Sequence, residues 1–280
     1  MRAVALLLLV LVCAVPASGA VPKPAPAFEH VVVFVFENKE REHVLGTRSA
    51  PTFNRYAKQY ANLTAYYAVT HPSLPNYIAL VSGSTEGITT DCTECTVDIP
   101  SLADSLEAAG LSWRTYVEGL PYSGFTGPVF RRYAKKHNPF LYFRSIIDDE
   151  QRRNRVVPFA YLAADVRARA LPDFSLVVPD MCNSMHDCGV AVGDKWLRRV
   201  VQPLLKLPRT AIFILFDEGS TYTRGGGHTP ALVVGTAVRP RSQYAAVSGH
   251  YEVLRTIEDA WGLPLLGASA EARPITGIWR

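Results

Sequence analysis

Three apolar runs in this chain end in acid. HVVVFVF (30–36) runs into Glu37-Asn38, DFSLVVPD (173–180) closes on Asp180, and TAIFILFDEG (210–219) delivers Asp217 and Glu218. One acidic residue after a strand is uninformative. Four of them, brought from three strands to one crevice, repel strongly unless a cation sits among them. Oxygen donors favour a single hard divalent ion such as Mg²⁺, Ca²⁺ or Mn²⁺, and a zinc hydrolase fits them less well.

A hydroxyl stands ready for such an ion. In THPSLPNY (70–77), Pro72 and Pro75 restrict the backbone around Ser73, and the apolar run that begins at Tyr77 can form a helix whose start favours an anion. A serine hydroxyl is a weak nucleophile until a base or a metal activates it, so Ser73 gains a role from the carboxylates, with Thr70 as its competitor. Loop histidines could hold a phosphoryl oxygen or protonate a leaving group. His186 lies six residues past Asp180, His228 follows three glycines in GGGHTP, His137 sits in KHNPF and His71 adjoins the hydroxyl. His250 opens a helical stretch as an orienting residue, and His30 and His43 read as structural.

Placing these groups requires buried parallel strands, because continuous β-branched runs suit strands covered on both faces. PALVVGTAV (230–238) reads as a further strand. Amphipathic stretches at 100–110, 193–207 (with Pro203 interrupting) and 250–263 alternate with the strands, and two of them stop at Gly110 and Gly262. The expectation is an α/β fold with a mainly parallel central β-sheet flanked by helices, in a single domain over 29–280. Ligands then sit outside the carboxyl ends of the strands.

The first 20 residues carry Arg2, an apolar run and small residues near Ala20, the pattern of an export signal; a Pro-rich spacer occupies 21–28. Secretion is the expected localisation. Export makes the cysteines readable: Cys92, Cys95, Cys182 and Cys188 permit three connectivities, of which local pairing (92–95, 182–188) is the simplest. A composition of 48% hydrophobic and 19% charged residues describes a folded chain with a sizeable core. The formal charge of +4 is small, and the basic stretches at 131–136 and 151–155 read as solvated faces. No nucleic-acid reader motif is present, and nothing indicates an obligate protein partner.

The ordered set FVFENKEREHVLG, THPSLPNYIALVSGST, KHNPFLYF, VVPDMCNSMHDC, FDEG, GGGHTP and HYEVLRTIEDAWGLPLLG resembles the bacterial phosphoesterase family of secreted acid phosphatases and phospholipases C, within the alkaline-phosphatase-like superfamily. Any one motif is weak; the order, spanning about 29 to 278, is specific. The resemblance implies metal ligation by Glu37, Asn38, Asp217 and Glu218, although some relatives have two aspartates at the second pair. It also implies a metal-bound nucleophile at Ser73 and His137, His186 and His228 around the phosphate. Asp180 matches an acidic position that could orient His186. The implied reaction is in-line attack on phosphorus through a phosphoserine intermediate. The compact length favours a phosphatase acting on monoesters, phosphoinositides such as phosphatidylinositol 3-phosphate among them, with the aromatic stretch 119–143 as a substrate-facing wall. Two alternatives are a phospholipase C-type phosphodiesterase using the same site and an exported non-catalytic binding protein on this fold.

Overall fold

In this computed structural model, residues 28–280 are described. The segment read as an export signal, and all but Phe28 of the spacer, lie outside them. Among the described residues ten strands form: β1 (His30–Phe36), β2 (Ala61–Leu63), β3 (Trp113–Val117), β4 (Val129–Phe130), β5 (Tyr133–Ala134), β6 (Val156–Pro158), β7 (Phe174–Val178), β8 (Thr210–Phe216), β9 (Leu232–Val234) and β10 (Gln243–Tyr244). The helices are α1 (Arg41–Val44), α2 (Pro51–Gln59), α3 (Ser73–Ser82), α4 (Leu102–Ala108), α5 (Arg144–Ile147), α6 (Glu150–Arg153), α7 (Ala160–Ala168), α8 (Val190–Leu204) and α9 (His250–Trp261).

Eight strands make one sheet in the order β10-β2-β9-β8-β1-β7-β3-β6, and β4 with β5 makes a separate hairpin. The pairings β8-β1-β7-β3-β6 are all parallel, while β9 runs antiparallel to β8 and to β2. The alternation of β1 explains why it must be central. Val31, Val33 and Val35 enter one core with Tyr77 and Ile78 of α3 and Val253 and Leu254 of α9. Val32, Phe34 and Phe36 enter the other core with Phe53 of α2 and Trp196 and Val200 of α8. A strand apolar on both faces has no stable place at an edge facing water.

The expected strands at 30–36, 173–180, 210–219 and 230–238 correspond to β1, β7, β8 and β9. The expected helices correspond to α4, α8 and α9; α8 runs through Pro203 to Leu204, and α9 stops at Gly262 in the left-handed region. No described helix is long and apolar enough to cross a membrane. Stretch 151–155 is not a free solvated face. Arg152 pairs with Asp104 and Glu107, and Arg155 with Glu107, clamping α6 onto α4.

Two features fix α3. It begins at Ser73 itself, four residues earlier than the apolar run suggests, and it ends at Gly83 with φ +72°. A Cβ at Gly83 would lie 1.9 Å from the carbonyl oxygen of Leu266. Gly83→Ala therefore combines left-handed strain of about 1–2 kcal/mol with a clash against backbone that cannot rotate away. Denaturant unfolding should show a loss above about 3 kcal/mol; a change within about 0.5 kcal/mol, the range of an ordinary surface substitution, would refute this account of the terminus.

Candidate active site

The register of the two central strands creates the site. Phe36 of β1 lies opposite Phe216 of β8, so the residues that follow, Glu37 and Asp217, emerge side by side from adjacent strand ends. The Asp217 N–H donates to the Phe36 carbonyl, continuing the ladder one step (2.9 Å). Asn38 then turns into the left-handed region (φ +53°), where its backbone N–H donates to Asp217 Oδ1 at 3.1 Å. The Glu218 N–H donates to the same oxygen at 2.6 Å. Glu37, Asp217 and Glu218 are all buried.

Ser73 meets this group from above. Its Oγ lies 3.4 Å from Glu37 Oε2 and 3.3 Å from Glu218 Oε1. Asn76, fully buried, holds the approach. Its Oδ1 accepts the N–H groups of Val69 and Thr70, and its Nδ2 donates to the carbonyls of Thr70 and Pro72. One turn along α3 from Ser73, the Tyr77 hydroxyl donates to Glu37 Oε1. Thr70 stands apart, its hydroxyl donating to the His71 carbonyl.

The charges are out of balance without a cation. Burial, reinforced by Asp217, pushes the Glu37 carboxyl well above its ordinary range. Burial and Asp217 push Glu218 up to about 7, against the opposing pull of His71. His137, completely buried, is held neutral by burial and then by the nearby Lys136 and His186. Asp217 Oδ2 is buried with no hydrogen-bond partner among the described residues, and His137 Nε2 lies 3.2 Å from Glu37 Oε2 without hydrogen-bond geometry. Donor atoms of Glu37, His137 and Asp217 lie within 4.8 Å of one another. Orphaned, convergent donors of this kind fit a divalent ion.

The histidines divide. His137 belongs to the cluster, stacked on Tyr77 with centroids 5.4 Å apart. The His71 Nδ1 sits 2.5 Å from Glu218 Oε2 while its Nε2 donates to the Thr221 carbonyl at 2.9 Å. His186 lies on the loop closed by the Cys182–Cys188 disulfide, its ring 5.8 Å from that of His137. Cys92 joins Cys95, so both bridges are local. His250 Nε2 donates to the Asp217 carbonyl and its Nδ1 accepts from the Tyr66 hydroxyl, which gives it the orienting place its position suggested. His228 is turned aside. Its Nε2 donates to the Thr64 carbonyl and its ring stacks on Tyr67, with no hydrogen bond to the cluster among the described residues.

Asp180 requires a correction. It neither joins the carboxylates nor orients His186. Its Oδ1 accepts the N–H groups of Cys182 and Asn183, committing its charge to closing its own loop. Three carboxylates from two strands meet, not four from three. The stretch 119–143 is also less of a wall than expected: Phe140 to Phe143 are core, and Tyr122, Val129 and Phe130 remain exposed.

Sequence reasoning passed over four residues. Tyr77 and Lys136 carry no motif signal of their own, and Asp91 accepts the Leu74 N–H at the start of α3 (3.0 Å). Glu40 is buried; its Oε1 accepts the N–H groups of Ser220 and Thr221, and its Oε2 that of His228. A Cβ on Gly219 or Gly227 would come within 2.3 or 2.6 Å of Glu40 Oε1, which gives the glycines of FDEG and GGGH a physical reason. A sequence signal existed: an acid two residues beyond a proposed ligand pair.

The profile of the phosphoesterase family matches residues 47–264. The chain belongs to the phosphoesterase family. A Mycobacterium tuberculosis phosphatidylinositol-3-phosphatase is 35% identical over 272 residues, covering 95% of this chain and 88% of that protein. A phosphate-repressible acid phosphatase of Penicillium chrysogenum is 30% identical over 86% of this chain; this phosphoesterase spans only 61% of the fungal protein. Among solved structures, an alkaline phosphatase superfamily protein from Vibrio parahaemolyticus superposes with a TM-score of 0.63 at 15% identity, covering 90% of this chain and 72% of that one, a likeness of fold. The fold is thus alkaline-phosphatase-like, and the chain is a hydrolase acting on phosphoric ester bonds.

Proposed function

We propose that this phosphoesterase is a secreted, metal-dependent acid phosphatase that hydrolyses phosphate monoesters through a phosphoserine intermediate. The observation that carries the reading is Ser73 Oγ, poised between Glu37 and Glu218 beside the orphaned Asp217 and His137. Glu37, Asp217 and His137 would hold one divalent ion, with Ser73, Asn38 and Glu218 adjoining. A set of oxygens plus one imidazole suits Mn²⁺ as well as Mg²⁺ or Ca²⁺. When bound, the ion supplies positive charge that favours the ionised hydroxyl and offsets charge on the phosphoryl oxygens.

The chain's own residues do the rest. The Ser73 proton passes to Glu218 Oε1, which the hydroxyl already approaches, as the Oγ–P bond forms and the bond to the leaving oxygen breaks. The leaving oxygen takes that proton from Glu218, and water then attacks phosphorus while Glu218 accepts its proton and returns it to Ser73 Oγ, releasing phosphate. His186 lines the place of the phosphoryl group beside the ion, its ring 5.8 Å from that of His137. His71, bridging Glu218 and Thr221, steadies the acceptor of the Ser73 proton. The relative named a phosphatidylinositol-3-phosphatase supports phosphoinositide head groups as substrates.

The test is hydrolysis of p-nitrophenyl phosphate beside bis-p-nitrophenyl phosphate by residues 21–280, stripped of metal and resupplied with Mn²⁺, Mg²⁺ or Ca²⁺. Monoester turnover that depends on the added ion is expected. Preferred diester turnover would favour the phospholipase C-type alternative, and no turnover of either a binding protein. Independently of activity, an ion at 100 times its Kd should stabilise the fold by about 2.7 kcal/mol. A melting curve unmoved by all three ions would remove the metal site.

A further inference from the structure

One cation beside the cluster takes no part in the phosphoserine scheme. Lys136 lies on the turn Lys135–His137, immediately before His137. Its Nζ donates to Asp91 Oδ2 at 2.8 Å, and the other oxygen of Asp91 accepts the N–H of Leu74, the residue after Ser73. The ammonium is thus tied, through one carboxylate, to the helix start that carries the hydroxyl. On its other side lies His186 Nε2, 3.5 Å away. The His186 Nδ1 donates to Asp187 Oδ1 at 2.7 Å, so in the neutral ring the lone pair of Nε2 faces the lysine.

An ammonium has three donors. Asp91 and His186 take two, and among the described residues the third has no acceptor. The Lys136 side chain is 21% exposed, so this donor is open to an arriving ligand. Three elements therefore converge on a half-buried cation with one N–H to spare: the start of α3, the turn before His137 and the disulfide-closed loop.

We propose that Lys136 donates this third N–H to a non-bridging phosphoryl oxygen and thereby selects the phosphomonoester over the diester. The inference rests on the phosphatase reading and deepens it to the charge of the group accepted. A monoester has three non-bridging oxygens and up to two charges; a diester has two and one. A compact cation placed beside the fixed carboxylates favours the ligand that brings the extra anionic oxygen. Asp91 links the ammonium to the α3 start without itself carrying the selection.

The experiment compares inorganic phosphate with dimethyl phosphate as ligands of the metal-loaded protein, by calorimetry at pH 7.5. Lys136→Met should weaken inorganic phosphate by about 10–100-fold, the loss of one charge-assisted hydrogen bond. Dimethyl phosphate should move by less than about threefold, and Lys136→Arg should restore most of the preference. Asp91→Asn, which keeps the ammonium, should hold the ratio of the two affinities within about threefold of wild type. If both ligands weaken equally in Lys136→Met, or neither does, the lysine is structural and the inference is wrong. It is equally wrong if Asp91→Asn shifts the ratio as far as Lys136→Met. Should Lys136→Met fail to give a cooperative melt, Lys136→Gln takes its place under the same expectations. These constants are read without turnover, so they stand apart from the phosphoserine scheme, which falls instead if Ser73→Ala stays active.

Discussion

Ser73→Ala should abolish turnover and leave the protein otherwise intact. Removing a nucleophile of this kind costs about 10⁴–10⁶-fold in kcat. The structure argues against a trivial explanation through misfolding. Ser73 is the first residue of α3, alanine is the best helix former, and the approach from 69 to 72 is held by Asn76 and not by the hydroxyl. The mutant should melt within about 0.5 kcal/mol of wild type and still be stabilised by the divalent ion, because Glu37, Asp217 and His137 are untouched. Acid quenching of wild type with ³²P-labelled substrate should leave label on a peptide containing residue 73, and the mutant none. A folded mutant keeping a tenth of wild-type activity would move the nucleophile elsewhere, with Thr70 next to test.

Glu37→Gln should have opposite effects on activity and on the metal-free fold. Activity falls by several orders of magnitude, since the most buried carboxylate of the ligand set loses its charge. Without metal, however, that charge is a burden: burial and Asp217 raise the Glu37 carboxyl well above its ordinary 4.5. The sign follows from proton linkage. A carboxyl with a raised pKa binds more protons folded than unfolded, so metal-free wild type loses stability as pH rises above 4.5 towards neutrality. Glutamine keeps an oxygen for the Tyr77 hydroxyl and removes the titration. The metal-free mutant should be more stable at pH 7 by about 0.5–2 kcal/mol, with a flatter pH dependence and no stabilisation by Mn²⁺. A mutant less stable than wild type at pH 7 with both stripped of metal would show that Glu37 carries no such strain.

The parts of this site differ in how openly the sequence displays them. The strands β1, β7 and β8 announce themselves because a strand buried on both faces must be apolar throughout, and the acids at their ends follow by position alone. What chain order cannot supply is register across the sheet. Glu37 and Asp217 meet because Phe36 opposes Phe216, residues far apart in the chain, and Asp180 ends an equally convincing strand yet bonds its own loop. His137 could be assigned to the phosphate by resemblance. Its place against Glu37 and on Tyr77 depends on a turn with no periodic signal. The outlying strands β2, β6 and β10, only two or three residues long, are too short for alternation to show, and the antiparallel setting of β9 leaves no mark in its composition.

The grip of Glu40 on the 217–228 segment is a grip on main-chain N–H groups, and such a grip is indifferent to the side chains it carries. Residues 220–225 face solvent, while Gly219 and Gly227 at their base are buried against the carboxylate. The segment therefore separates into an invariable foot and a replaceable crest. The foot keeps Glu218 aimed at Ser73, while on the crest Tyr222 stands edge-on to His71 with centroids 4.6 Å apart and Arg224 lies over the Tyr67 ring. Whatever side chains the crest carries, the two glycines set how closely the foot can lie against Glu40.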